Sequence, residues 1–198
     1  MTTVYNLGNK PQYQSFSGDD IAVSGGNAND MLEIYGSNSS LNGDNGNDWL
    51  AVYGNNDSVD GGRGDDMLYV VGDYNTATGG RGADTFVFGP YYYDLFGEHN
   101  TITDFKTGVD RIDVGLAATP QNMLILDGSG FSSMDAAINA AGSYWNFEIG
   151  LVAFYNVAGS GNGVLVADSD LYGGTEGAVR LTGVDSATKI AITDVVHG

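Results

Sequence analysis

The fold is decided by residues 25–87, which divide into seven consecutive units of nine residues: GGNANDMLE, IYGSNSSLN, GDNGNDWLA, VYGNNDSVD, GGRGDDMLY, VVGDYNTAT and GGRGADTFV. The first, third, fifth and seventh units, called the odd units below, begin with Gly, carry Asp at the sixth position and have an apolar residue at the eighth. Their aspartates are Asp30, Asp48, Asp66 and Asp84, spaced 18 residues apart. Repetition at a fixed period is typical of solenoids, in which each repeat stacks on its neighbours.

Each unit joins a glycine-rich loop to a short strand, such as residues 48–52. Side chains along a strand point alternately to opposite faces, so stacked units place equivalent residues in columns. The expected inward columns are Leu32, Leu50, Leu68 and Phe86, and beside them Ile34, Val52, Val70 and Phe88. Their outward neighbours are Met31, Trp49 and Met67, together with Tyr35, Tyr53 and Val71. An outward apolar strip of this kind marks an interface, unless the C-terminal half of the chain folds back over it.

The composition indicates a bound metal. The chain of 198 residues has 25 Asp and Glu against 7 Lys and Arg, a formal charge of −18, with 31 Gly and no Cys. This charge argues against nucleic acid and anionic membranes as partners. The sequence contains no run of about 18 apolar residues, so no membrane span is predicted. Carboxylates stacked about 4.8 Å apart repel one another unless a cation lies between them. Calcium suits such loops, because it accepts about six to eight oxygens, backbone carbonyls included.

The odd units resemble the GGxGxDxUx nonapeptide of the RTX (repeats-in-toxin) family, and the resemblance covers residues 17–89. It implies an all-β, calcium-binding parallel β-roll, a β-solenoid in which two nonapeptides make one turn. About three Ca2+ ions are expected along the odd units, one between each pair of successive aspartates. The metal-binding residues expected on this basis are Gly26, Ala28, Asp30, Gly43, Asn45, Gly46, Asp48, Gly61, Arg63, Gly64, Asp66, Gly79, Arg81 and Asp84.

The even units depart from this pattern. Their sixth positions hold Ser39, Asp57 and Asn75, of which only Asp57 is acidic. We therefore expect a one-sided calcium row, with the even side closed by Asn and Ser hydrogen bonds or binding calcium weakly at Asp57.

The chain after the repeats is expected to form a β-rich cap. Residues 100–113 read NTITDFKTGVDRID and are similar to the segment that follows the β-roll in serralysin-type C-terminal domains. Asp104, Asp110 and Asp113 either bind calcium or, as we favour, fix turns and Arg111 by hydrogen bonds. One short helix is predicted over residues 134–141 after a Ser cap, and strands over 146–158 and 163–167. Two further candidates fall in this half: a possible metal site at Asp168 and Asp170, otherwise a hairpin turn, and an aromatic interface at Tyr91, Tyr92 and Tyr93.

Three segments follow from these patterns: residues 1–16 as an N-terminal cap or assembly segment, 17–89 as the roll, and 90–198 as the β-rich region. The first ten residues lack the features of a Sec-type signal peptide. The last stretch, residues 177–198, looks like the C-terminus of RTX proteins exported by type I secretion. The resemblance therefore implies the type I secretion machinery as a partner and an extracellular or cell-surface location.

No catalytic motif is found. HExxH and GxSxG do not occur, only His99 and His197 are available as histidine bases, and about 16 residues precede the repeats. We expect a non-enzymatic, calcium-stabilised structural protein that folds outside the cell and assembles with itself into a fibre, matrix or surface layer. The alternative is a monomeric module that binds a cell-surface glycan through Trp49 and the tyrosines at 91–93.

Overall fold

The computed structural model describes residues 1–88, 99–113, 123–131, 151–157, 162–168, 177–184 and 192–196. Ten strands form the repeat region: β1 (Thr3–Asn6), β2 (Tyr13–Ser17), β3 (Ile21–Asn27), β4 (Met31–Tyr35), β5 (Ser40–Asn45), β6 (Trp49–Tyr53), β7 (Ser58–Arg63), β8 (Met67–Val71), β9 (Thr76–Arg81) and β10 (Thr85–Phe88). Seven follow: β11 (Asn100–Ile102), β12 (Arg111–Asp113), β13 (Met123–Phe131), β14 (Leu151–Val157), β15 (Asn162–Asp168), β16 (Gly177–Thr182) and β17 (Val195–Val196), the last entered by a 3-10 turn, Ile192–Asp194.

The strands form two sheets, and successive repeats alternate between them. The first sheet has ten strands in the order β1-β3-β5-β7-β9-β11-β16-β15-β14-β13, and the second has seven, β17-β12-β10-β8-β6-β4-β2. Within the roll all neighbours are parallel, and Met31 lies opposite Trp49, which lies opposite Met67. The predicted fold is confirmed: the chain is an all-β parallel β-solenoid of about five turns, with about 18 residues in each.

Both sheets extend past the limits of the nonapeptide pattern. At the N-terminal end β1 and β2 already pair with the next turn in the 18-residue register, with Thr3 opposite Ile21. At the other end β11 pairs with β9 and β12 with β10, although these partners are 25 and 26 residues apart. The division of the chain at residues 16 and 89 stays a prediction, but strand pairing continues across both positions.

The core lies between the two sheets and is made of columns, as the alternation predicted. The residues of both expected columns are at most 1% exposed: Leu32, Leu50, Leu68, Phe86, Ile34, Val52, Val70 and Phe88. The ten-stranded sheet contributes a facing column of Val23, Leu41, Val59, Ala77, Ile102 and Leu181. Each buried Leu or Phe stabilises the fold by about 2 kcal/mol, since its side chain is removed from water.

The outer faces of the two sheets differ in chemistry. On the seven-stranded sheet Met31, Tyr35 and Met67 are exposed by 44%, 43% and 39%, so within the described part of the chain these positions are not buried. Tyr35 stacks on Tyr53 with ring centroids 4.6 Å apart, and the face also includes Trp49. We call these residues the aromatic face. The ten-stranded sheet instead has outward rows of hydroxyl groups, with Ser40, Ser58 and Thr76 in register.

The C-terminal strands complete both sheets. β16 lies parallel to β11, β15 and β16 are antiparallel, and β17 pairs with β12. The predicted strands at 146–158 and 163–167 correspond to β14 and β15. The predicted helix at 134–141, the tyrosines at 91–93 and Asp170 lie outside the described residues. No helix in the described part of the chain has the length and hydrophobicity to cross a bilayer.

Candidate metal sites along the roll

The odd units place their aspartates in one row, called the odd edge. The Oδ1 atom of Asp30 accepts the backbone N–H of Gln12 at 2.7 Å, and Oδ1 of Asp48 accepts that of Asp30, also at 2.7 Å. Asp66 and Asp84 repeat the bond at 2.8 and 3.0 Å. One oxygen of each carboxylate therefore joins its own turn to the turn before it.

The second oxygen of each row aspartate has no such partner. Oδ2 of Asp30, Asp48, Asp66 and Asp84 is buried and accepts no hydrogen bond within the described structure. The four residues are between 1% and 3% exposed. A buried carboxylate oxygen without a partner is costly, so a row of four of them calls for a compensating positive charge.

Backbone carbonyls lie close to these oxygens. A methyl group added to Gly25 would lie 2.8 Å from Asp30 Oδ2 and 2.9 Å from the carbonyl oxygen of Gly43. A methyl group added to Gly43 would lie 2.7 Å from the carbonyl oxygen of Gly61, and one added to Gly61 would lie 2.7 Å from that of Gly79. Glycine is required here because a side chain would occupy the space that the oxygens share.

The electrostatics of the row follow from burial. Desolvation raises the pKa of Asp48, Asp66 and Asp84 to about 6, although the backbone hydrogen bond from the preceding turn opposes the rise. The charges of neighbouring row aspartates raise it further. The pKa of Asp30 is raised for the same principal reason. Without a cation, these carboxylates disfavour their own ionised form.

The other predicted metal-binding residues lie in the same loops, where several have roles in the backbone ladder. The carbonyls of Arg63 and Arg81 accept the N–H groups of Gly46 and Gly64, both at 2.8 Å. The carbonyl of Ala28 lies against Gly46. Gly26 has a φ of 105°, and the Asn45 amide bonds to Asn27 at 2.7 Å. Each carbonyl keeps a second lone pair, so metal binding by these residues stays a prediction.

The donor set fits calcium. Among the described residues no group of three or more Asp, Glu, His or Cys side chains lies together as a metal cluster. A cation on the odd edge would therefore be held by the Oδ2 atoms of the row and by backbone carbonyls such as that of Gly43. Calcium is the common biological cation that accepts such mixed carboxylate and carbonyl oxygens.

The row ends at Asp110, a residue that the 18-residue period missed. Its Oδ1 accepts the N–H of Asp84 at 3.1 Å, 26 residues earlier, and its Oδ2 accepts that of Lys106 at 2.7 Å. Asp104 accepts the N–H groups of Gly79 and Gly80 at 2.9 and 2.8 Å. The favoured interpretation of Asp104 and Asp110 as turn-fixing residues agrees with these bonds. Gln12 was also missed, although its position 18 residues before Asp30 was available as a signal.

The even units form the opposite edge, called the even edge, with a ladder of the same kind. Ser39 Oγ accepts the N–H of Ile21 at 3.1 Å, and Asp57 Oδ1 accepts that of Ser39 at 2.8 Å. Asn75 Oδ1 accepts the N–H of Asp57 at 2.8 Å, and Asn100 Oδ1 accepts the N–H of Asn75, also at 2.8 Å. The Asn and Ser hydrogen bonding predicted for this edge is therefore present. Asp168 ends β15, on the far side of β16 from the roll.

The parallel register and the aspartate row define the class of protein: a β-roll built from nonapeptides of the RTX type. Residues 15–139, more than half of the chain, match the family described as Peptidase M10 serralysin C terminal, and the chain belongs to that family. The similarity of residues 100–113 to serralysin-type domains is confirmed by this match.

Two solved structures are similar to the chain, both from the mannuronan C5-epimerase of Azotobacter vinelandii. The AlgE6R3 subunit is 22% identical with a TM-score of 0.40, and the match covers 99% of this chain and 80% of that one. The AlgE6R2 subunit is 21% identical with a TM-score of 0.34, covering 100% and 92%. Neither likeness bears on function. No curated protein matches the chain.

Proposed function

We propose that this chain is a secreted calcium-binding β-roll whose folding depends on the ion. The observation that carries the proposal is the row of four buried Oδ2 atoms without hydrogen-bond partners on the odd edge. Binding of calcium to the folded state alone stabilises that state by mass action. It also neutralises part of the formal charge of −18, which opposes compaction.

Secretion is supported by the family and by the C-terminal stretch 177–198, which we propose as a type I secretion signal read by that machinery. The thermodynamics are compatible with this route. Where free calcium is scarce, the acidic roll is expected to be unfolded, and calcium outside the cell supplies the free energy of folding.

The function proposed for the folded protein is self-association into an extracellular fibre, matrix or surface layer. Two features support a second copy as the partner. The aromatic face leaves Met31, Tyr35 and Met67 exposed, which is unusual on a soluble sheet. In addition, β1 and β2 are edge strands, with Val4 and Tyr13 exposed by 63% and 69%, and such edges favour pairing with other strands.

The experiment is a calcium titration of the full chain refolded from chelator, followed by circular dichroism and light scattering. A cooperative gain of β-structure with Ca2+, and none at equal Mg2+, is expected. A rise in scattering mass that chelator reverses supports self-association. Folding to a particle that stays at 20.7 kDa at high concentration eliminates it. If calcium changes neither signal, the calcium proposal itself is wrong.

The second candidate, a monomeric glycan-binding module, is favoured by the exposed rings of the aromatic face, because aromatic faces suit sugar rings. Trp49, one of the two tryptophans of the chain, lies in this face, and its fluorescence is expected to change on binding. If a panel of glycans leaves the Trp49 signal of the calcium-loaded protein unchanged, this candidate is rejected.

A further inference from the structure

The side chains at the sixth positions bond to the preceding turn in the same way on both edges of the roll, but the edges differ in the remaining polar atom of these side chains. On both edges one side-chain oxygen at the sixth position accepts a backbone N–H from the preceding turn. On the odd edge the remaining atom is a carboxylate oxygen without a partner. On the even edge it is, at two levels, an amide nitrogen that carries hydrogen-bond donors.

These amides donate to backbone carbonyls. Asn75 Nδ2 donates to the carbonyl oxygen of Gly54 at 3.0 Å. Asn100 Nδ2 donates to the carbonyl oxygen of Gly72 at 2.8 Å, one turn further along. A backbone carbonyl oxygen is satisfied by a hydrogen-bond donor or by a cation. The amide provides the donor here, whereas a bound ion would provide the cation on the odd edge.

Asp57 interrupts the series one turn earlier. Gly36 precedes Gly54 by 18 residues and makes the equivalent backbone bond, from its N–H to the carbonyl of Tyr53. A methyl group on Gly54 would overlap the Gly36 carbonyl oxygen and lie 3.0 Å from Asp57 Oδ2. Asp57 is 2% exposed, and its Oδ2 accepts no hydrogen bond within the described structure. Two acceptors, Asp57 Oδ2 and the Gly36 carbonyl oxygen, therefore share a space. In the equivalent space one turn later, Asn75 places a donor.

A further negative charge acts on this position. Asp19 lies two turns before Asn55, and its carboxylate accepts the N–H of Ser37 at 2.8 Å. The charge of Asp19 raises the pKa of Asp57, in addition to the larger effect of burial. Removing Asp57 from water next to Gly36 thus leaves an uncompensated anion between neutral levels, since Ser39 lies on one side and Asn75 on the other.

We propose that the amides of Asn75 and Asn100 replace bound cations on the even edge, and that the single level at Asp57 and the Gly36 carbonyl takes one Ca2+ ion instead. The inference rests on the proposed calcium binding of the roll. At the levels of Asp57, Asn75 and Asn100, it assigns the choice between metal and amide to one side chain that is either Asp or Asn.

The test exchanges these two residue types and counts ions by native mass spectrometry and calorimetry with Ca2+ alone. In Asp57→Asn, the new amide is placed to donate to Gly36 as Asn75 donates to Gly54. This variant is expected to bind one Ca2+ fewer than the natural chain and to remain folded. The reverse exchange, Asn75→Asp, is expected to bind one more. Asp60→Asn removes the same charge from the outer face of the ten-stranded sheet and is expected to leave the count unchanged.

The outcomes separate this inference from the proposed function. If the natural chain binds no Ca2+, the proposed function fails, and this inference falls with it. If the natural chain binds Ca2+ and Asp57→Asn binds the same number, the function stands and the inference is wrong. A folded Asn75→Asp protein with an unchanged count, or an Asp60→Asn protein that also loses one ion, overturns it as well.

Discussion

Each aspartate of the odd edge divides its two oxygens between two tasks. Oδ1 of Asp66 accepts the N–H of Asp48, while its Oδ2 is left for a cation. The neighbours of a given aspartate decide how many other carboxylates are near. Asp66 lies between Asp48 and Asp84, whereas Asp57 on the even edge lies between Ser39 and Asn75.

This difference predicts unequal effects of the same substitution. Asp66→Ala removes an oxygen from two neighbouring levels and is expected to raise the midpoint of calcium-dependent folding more than Asp57→Ala does. The midpoints are measured by circular dichroism during titration from chelator. Equal shifts in the two variants would refute a calcium row confined mainly to the odd edge.

Substitution of Gly64 is predicted to have a steric effect. Its φ of 130° is unfavourable for other residues, and an added Cβ would overlap the carbonyl oxygen of Gly46. Gly64→Ala is expected to lower the free energy of unfolding by about 3 kcal/mol or more, measured by urea in saturating calcium. The control is Gly108→Ala, where φ is 74° and an added Cβ would meet no atom within 4 Å. There only the cost of the backbone conformation applies, about 1 kcal/mol. Equal losses would show that the close approach to Gly46 is unimportant.

At the scale of strands and loops, the aspartates of the odd edge share one direction of pKa shift. Asp48, Asp66 and Asp84 have a usual pKa of 3.8 and a folded pKa raised to about 6 by burial. Their contribution to the stability of the metal-free roll is fully present below pH 3.8 and is lost as the pH rises through about 6. Calcium is expected to reverse the dependence, because protons would compete with the ion for the same oxygens.

The corresponding prediction compares pH 4.5 with pH 7.5. In chelator, the β-structure seen by circular dichroism is expected to be greater at the acidic pH, and in calcium the urea midpoint is expected to be higher at pH 7.5. The control is the triple variant Asp48→Asn, Asp66→Asn, Asp84→Asn, in which both differences should shrink. A triple variant that keeps the full pH dependence would assign the effect to the remaining charge of the chain.

Strand register was the part of the fold that the sequence predicted best, because both determinants are periodic. The interval of 18 residues brings Leu50 against Leu68, and alternation along the strand buries both. Prediction failed where the period changes. Asn100 and Asp110 extend the two edges after 25 and 26 residues, so no fixed interval finds them. The amide bonds of Asn75 were also missed, because residue type alone does not show which carbonyl an amide reaches.

At the scale of the whole molecule, the difference between the two outer faces predicts that the proposed self-association uses the aromatic face. We expect Met67→Lys to prevent a calcium-dependent rise in scattering mass, since it places a charge in the exposed aromatic face. Ser58→Lys makes a charge change on the opposite sheet and should leave the rise intact. Both variants must first show the calcium-induced circular dichroism of the natural chain. Equal loss of mass in both would place the contact elsewhere or assign the effect to charge alone.

The hydrogen bonds of the two edges also give the molecule a direction. In the bonds made by the side-chain oxygens at the sixth positions, the donor belongs to the earlier turn and the acceptor to the later one, from Gln12 and Asp30 at the start to Asp84 and Asp110 at the end. The two ends of the roll are therefore chemically different. Loss of the last turn would leave the N–H of Asp84 without its acceptor, whereas loss of the first would leave Oδ1 of Asp30 without its donor.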